Sequence, residues 1–364
     1  MTILKAIKNY QLKIKNCGLF LTFIFHFSFF IFHCLYSAIF TYTNGTTSGQ
    51  FLNIPVAARA SSLAEAYTGY AKDAGIIEYN PAGVGNIYNN EIYLSYLAYF
   101  EQTSVQSLTF VKPLKKYVVG LNGKYLNSKD TERDIYGNDK GSFDIIDWSV
   151  LLSGAYKITN EFSVGLGVRN IAEKLNDKSA DGFAVNIGIF IAQPKQRISL
   201  GAAVVNIGNN IKFDKENDPL TLTLKLGGSW GFSHRATLLV EVIQPNDSGL
   251  KQRLAVEYHL TEPLWLRFGW KINQRKFADY TGFTSGFGLR INRFYLDYAF
   301  VPHSDLGVSH YITTGLRFGK SLPLPKHKIK PEIPEEEEKE AKEQPQEEKL
   351  PKELIDADKK PETE

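Results

Sequence analysis

From Glu91 to Phe318, apolar residues alternate with small, polar or charged ones in segments of about ten residues, the period of an extended strand. Phe162, Val164, Leu166 and Val168 are set against Ser163, Gly165, Gly167 and Arg169. Leu220, Leu222, Leu224 and Leu226 are set against Thr221, Thr223, Lys225 and Gly227 in the same way. Two later segments repeat the scheme: Leu264, Leu266, Phe268 and Trp270 against Arg267, Gly269 and Lys271, and Phe283, Phe287, Leu289 and Ile291 against Thr284, Gly286, Gly288 and Arg290. A helix would scatter such residues around its circumference, whereas a strand gathers them on one face.

A soluble sandwich would alternate too, so the connections carry the next step. Short ones, Pro113-Leu114-Lys115, Thr159-Asn160, Gln193-Pro194-Lys195, Ser233-His234, Thr261-Glu262-Pro263 and Asn292-Arg293, are interleaved with longer polar ones. The longer set runs Ser128 to Ser142, Asn176 to Ser179, Gly208 to Asp218, Pro245 to Gly249, Gln274 to Lys276 and Pro302 to Leu306. Outer-membrane barrels alternate in this manner, with short periplasmic turns and long outer loops. The fold expected is all-β: a transmembrane antiparallel barrel of about fourteen strands, oily side outward, in the bacterial outer membrane with its lipid as partner. Tyr93, Tyr96, Tyr125, Trp148, Tyr156, Trp230, Tyr258, Trp265, Trp270 and Tyr298 fall mostly near predicted strand ends, as a headgroup-level girdle would; the alternative is ordinary β-core aromatics. The final strand, ending in Ile312, Thr314, Leu316 and Phe318, resembles the closing strand of barrel proteins.

The two ends of the chain follow other rules. Residues 1–38 carry Lys5, Lys8, Lys13 and Lys15, then an apolar run from Leu19 to Phe32, then Ser37 and Ala38, the order of a secretory signal; the alternative is a retained anchoring helix. Both cysteines, Cys17 and Cys34, lie in that stretch, so cleavage would leave no thiol chemistry. Residues 39–88 are expected to form an N-terminal plug and 89–320 the barrel. Residues 321–364, with Glu335-Glu336-Glu337-Glu338 and almost no large apolar side chain, read as a disordered periplasmic tail, either merely solvated or a docking segment. The composition agrees with strands: 24 Phe, 19 Tyr and 29 Gly, with one Met. A net charge of +3 without a basic stripe excludes nucleic acid as partner.

Between signal and barrel the grammar changes to small residues with widely spaced charges. The stretch holds Ala58-Arg59-Ala60 shortly after Pro55, then Glu65-Ala66-Tyr67, Asp73-Ala74 and Asn80-Pro81-Ala82-Gly83. Small residues permit close approach to a barrel wall, and Asn80-Pro81 with Gly83 signals a turn. Arg59, Glu65 and Asp73 would need charged partners in a narrow lumen, Glu257 or Asp297 for Arg59 and inward Arg or Lys for the acids; the alternative is a flexible leader. This stretch resembles the PorV/PorQ family, within the FadL-like outer-membrane barrels. It departs at Ser62-Leu63-Ala64, where that family has a Met-Gly or Leu-Gly pair, and the acidic tail is not part of the pattern. The resemblance implies a fourteen-stranded barrel with an N-terminal plug. It also implies one of two roles: type IX-like secretion or surface attachment, with cargo domains or secretion components as partners, or a channel for hydrophobic small molecules. A purely structural barrel is the third possibility.

Catalytic and metal-binding patterns are missing, so the chain is read as a non-enzyme without cofactor or metal. The seven His show no ligand spacing. His303-Ser304-Asp305 has the residue types of a hydrolase triad, but sequence neighbours diverge and a polar loop is expected. Arg169, Lys225, Glu241, Glu257, Arg267, Lys271, Arg290, Asp297 and Arg317 fall on the inward face and read as a lumen charge network, which can also select solutes.

Overall fold

The computed structural model describes residues 45–213, 216–272, 282–319 and 321–322. The expected signal, the loop from Gln274 to Lys276 and all but two residues of the expected tail lie outside them. The strands, in chain order, are β1 (Asn90–Ala98), β2 (Ser104–Leu114), β3 (Tyr117–Arg133), β4 (Asp139–Lys157), β5 (Phe162–Leu175), β6 (Lys178–Gln193), β7 (Ile198–Gly208), β8 (Ile211–Phe213), β9 (Glu216–Asp218), β10 (Thr223–Trp230), β11 (Ala236–Pro245), β12 (Lys251–Thr261), β13 (Leu264–Ile272), β14 (Phe283–Ile291), β15 (Phe294–Pro302) and β16 (Val308–Phe318). All but β8 and β9 form one closed antiparallel barrel of fourteen strands, sealed where Asn90 of β1 stands opposite Phe318 of β16. β8 and β9 make a separate small hairpin between β7 and β10.

The alternation dictates which way each strand faces. On β5, Leu166 is 53% exposed while its neighbours Gly167 and Arg169 are buried. Leu94, Leu108, Leu152, Val240 and Phe268 likewise point out of the wall, with no protein to cover them. Such a continuous apolar exterior is stable against hydrocarbon, and closure leaves no strand edge to satisfy.

Four readings are corrected. Ser128 to Ser142 is not a loop: β3 and β4 continue as a two-stranded ribbon up to a turn at 134–138. β2 pairs with β3 only as far as Asn127 and β5 with β4 only as far as Ile145, so the ribbon stands roughly 20 Å clear of its neighbours at 3.3 Å per residue. Both its faces meet water, so no apolar period marks it. In the turn, Asp134 accepts the amides of Tyr136 and Asn138, each at 2.9 Å, and the Asn138 side chain, which holds its carboxyl below the usual range. Asn176 to Ser179 is a tight turn, with β6 beginning at Lys178. Leu220 points inward and is buried, because the backbone before β10 bends into the lumen and bridges to Ser48. Of the girdle aromatics, Tyr93 and Trp265 face inward; Tyr93 is buried beside Tyr295, and Trp265 stacks on His259 at 4.5 Å.

Candidate functional site

The lumen is occupied by the chain that precedes β1. Gly49 donates its amide to Glu173 at 3.0 Å and Thr47 its hydroxyl to Asp247 at 2.7 Å, both at the long-loop rim. The chain then makes one short helix, α1 (Ala58–Ser62), and a series of 3-10 turns, and reaches the short-turn rim where β1 begins. Residues 45–89 therefore cross the lumen from one rim to the other. Their backbone amides and carbonyls are costly to leave unmet in such a place. The wall meets them: Ala58 donates to Thr313 at 2.9 Å, Ala64 to Thr284 at 3.0 Å, and the amide and hydroxyl of Thr68 to Glu241 at 2.8 and 2.6 Å.

Small residues make this fit possible on both sides. A Cβ at Gly201 of β7 would stand 2.1 Å from the Thr68 carbonyl oxygen, and one at Gly165 of β5 would stand 2.2 Å from the Ala82 nitrogen. These wall glycines let the plug backbone lie directly on the sheet. In the strand pattern these glycines alternate with outward residues, and their inward parity is the signal that a second backbone touches them there. Asn80 joins the two layers. Its Oδ1 accepts the Ala82 amide at 3.0 Å, and its Nδ2 donates to the carbonyls of Thr68 in the plug and Ile189 in the wall, at 3.2 and 2.9 Å. Pro81 takes the first position of the following 3-10 turn, where no amide is needed, and Gly83 admits Ile76 within what would be Cβ distance.

The charges meet in one chain of contacts. Arg59 grips Glu257 through two nitrogens at 2.9 and 3.1 Å and Asp73 through a third at 3.1 Å. Glu257 also accepts from Tyr70 at 2.6 Å and Arg267 at 2.7 Å, and Arg267 reaches Asp297 at 2.6 Å. Asp73 thus pairs within the plug rather than with the wall, as Arg59 folds back on it. Glu65 pairs with Lys271. Of the other inward residues, Arg169 holds Glu78 at 2.9 Å, Arg317 holds Glu91 at 2.6 Å, Lys225 lies over the Tyr79 ring at 4.8 Å, and Arg290 lies between Trp265 and Tyr295. Glu78, Glu91 and Lys124 were not picked out from the sequence. Lys124 is buried, donates to the carbonyls of Leu52 and Ile54, and sits 3.6 Å from Glu78.

Among the described residues, a recess lies on each side of the plug. One, of about 80 Å³, lies on the long-loop side and is lined by Glu65, Tyr79, Asn122, Lys225, Lys251 and Arg253 among others. The second, of about 280 Å³, opens at the short-turn mouth beside Tyr70, Lys72, Gln193, Arg197 and Gly231. The plug, with Tyr67 wholly buried between Tyr70 and Tyr79, separates them. His303, Ser304 and Asp305 lie in a rim turn, with the His303 ring against Tyr99 and Phe100. Among the described residues, no group of His, Cys, Asp and Glu could hold a metal ion.

Comparison with curated proteins gives no match. Among solved structures, the deltaS2 mutant of the TodX monoaromatic hydrocarbon channel is similar over 73% of this chain and 99% of its own, at 11% identity and a TM-score of 0.55. The deltaS2S3 mutant of the same channel covers 72% of this chain and 98% of its own, at 11% identity and a TM-score of 0.50. The Acinetobacter baumannii outer membrane protein Omp33 covers 64% of this chain and all of its own, at 9% identity and a TM-score of 0.38. The likeness is one of fold, that of an outer-membrane-type barrel. A family model matches residues 39–225, from the plug through the first strands of the wall, and by that match the chain belongs to the uncharacterised protein family UPF0164.

Proposed function

We propose that this protein is a plugged outer-membrane channel for small solutes. The observation that carries the reading is the pair of recesses, one at each mouth, separated by a segment seated on polar and ionic contacts. A barrel serving only as a wall has no need of charge inside it. Removing an ion from water costs several kcal/mol even after relaxation, so apolar filling would stabilise such a lumen at least as well. The architecture it shares with TodX, which is described as a monoaromatic hydrocarbon channel, supports the same direction. In this reading residues 1–38 are the export signal, 39–88 the plug, 89–320 the barrel and 321–364 a polar tail. The residues that seat the plug are Arg59, Glu65, Asp73 and Asn80 with Glu257, Arg267, Lys271 and Asp297. Proteoliposomes with the full chain are expected to admit small solutes slowly, and those with Glu257→Ala several times faster. Equal rates from equally folded proteins would overturn the reading.

A second reading, PorV/PorQ-like service in secretion or surface attachment, is favoured by the projecting β3–β4 ribbon. Ile135 and Tyr136 at its tip are 91% and 83% exposed, apolar surface offered where a cargo domain would dock. Replacing both by Ser should leave the barrel intact and reduce surface-attached protein in the source bacterium. No change in surface attachment would remove this reading.

A further inference from the structure

The long-loop recess holds more positive charge than its acids neutralise. Lys225 of β10, Ile243 of β11 and Lys251 of β12 lie on one cross-strand row, and Arg253 follows Lys251 two residues along the same face. Among the described residues none of the three cations makes an ion pair. Glu65 is paired with Lys271, and Glu78 with Arg169 and Lys124. Glu241, opposite Arg253 on the neighbouring strand, and Asp247 are the two acids here without an ion pair; their oxygens take hydrogen bonds from Thr68 and from Thr47 and Gln50, so three unpaired cations stand against two unpaired acids. Arg253 is 8% exposed, and its Nε is buried without a hydrogen-bond partner while Nη1 reaches only the carbonyl of Gln252, at 3.3 Å. A buried guanidinium left so is costly, and two ammonium groups beside it add repulsion.

The opposite side of the recess supplies neutral polar groups. The Asn122 amide donates to the hydroxyls of Ser107 and Thr109, both at 2.8 Å, which leaves those hydroxyl protons free to point into the space. The hydroxyls of Tyr79 and Tyr93 are buried there without partners. Adjacent strands lie about 4.8 Å apart, so Lys225 and Lys251 start roughly 10 Å apart across the row and their flexible stems can converge on one guest. A guanidinium fork and two ammonium groups facing hydroxyl donors match an anion with several oxygens, and a guanidinium takes a carboxylate or phosphate through paired bonds. The space is too charged for a hydrocarbon.

We propose that this recess binds a small hydrophilic oxyanion, a phosphate or a short dicarboxylate, through Arg253, Lys225 and Lys251. The inference rests on the channel reading in so far as the bound anion is a solute on its way through the barrel. The test is isothermal titration of the full chain, refolded in detergent, with inorganic phosphate and separately with succinate, and with toluene and choline chloride as controls. Saturable binding of either anion is expected, at least tenfold weaker in Arg253→Gln and in the more peripheral Lys251→Gln. Binding of phosphate alone or of succinate alone would identify which oxyanion the site takes. No saturable binding of either by the parent protein, or binding undiminished in both variants, would overturn the site. Proteoliposome uptake of the same probes separates the two claims. Saturable binding without uptake keeps the site and sinks the channel, whereas uptake without saturable binding keeps the channel and sinks the site.

Discussion

The two faces of the barrel wall are held by different physics. Outside, Leu94, Leu152 and Leu166 have no partner in the protein and need none, since any apolar side chain of the right parity serves against lipid. Inside, the positions against the plug answer to particular neighbours: Gly201 to the Thr68 carbonyl, Glu257 to Arg59, Tyr70 and Arg267 together, and Lys271 to Glu65. The outer face is a periodic surface tolerant of exchange. The inner face is a fitted joint between two stretches of chain about 200 residues apart, and it should fail one residue at a time.

The joint is therefore the place for the largest effect. Glu257→Ala leaves Arg59 and Arg267 buried with one acid each, and the loss of one member of such a pair costs about 3–5 kcal/mol. A denaturant midpoint measured on the detergent-folded barrel should fall accordingly, and an unchanged midpoint would show that the joint does not bear on stability. On the outer face, Leu166→Arg should cost about 2–4 kcal/mol near the bilayer midplane, yet Leu166→Phe should cost almost nothing. If the Arg variant inserted and heat-modified like the parent, the assigned face would be wrong. Asn80→Ala removes one bridge between plug and wall and should cost about 1–3 kcal/mol through the lost bonds to the carbonyls of Thr68 and Ile189 and to the Ala82 amide. A loosened plug in that variant should appear as faster amide exchange at residues 80–87 with the strands still protected, whereas uniform exchange throughout would contradict the separation of plug from wall.

The difference between the faces also explains what could be read from the chain. The lipid face was legible because it repeats every second residue and needs no knowledge of any partner, so the strand number and the inward parity of Arg169, Glu257 and Arg267 followed. Where water wets both sides the repeat vanishes, which is why residues 128–142 read as a loop although 128–133 and 139–142 are strand. Leu220 kept the period of its neighbours yet turned inward, because its backbone pairs with Ser48 and no local pattern encodes a bridge to the other end of the chain. For the lumen, residue type indicated that Arg59 and Glu65 needed partners. Choosing Glu257 and Lys271 required the fold, since several inward charges met the same description.

That the lumen segment closes a pore is tested most directly by single-channel conductance in planar bilayers, comparing the full chain with a variant lacking residues 54–84. A seated plug requires a small, quiet conductance in the parent and one several times larger in the deletion, with both proteins heat-modifiable as closed barrels. A correctly folded deletion variant with the conductance of the parent would contradict it.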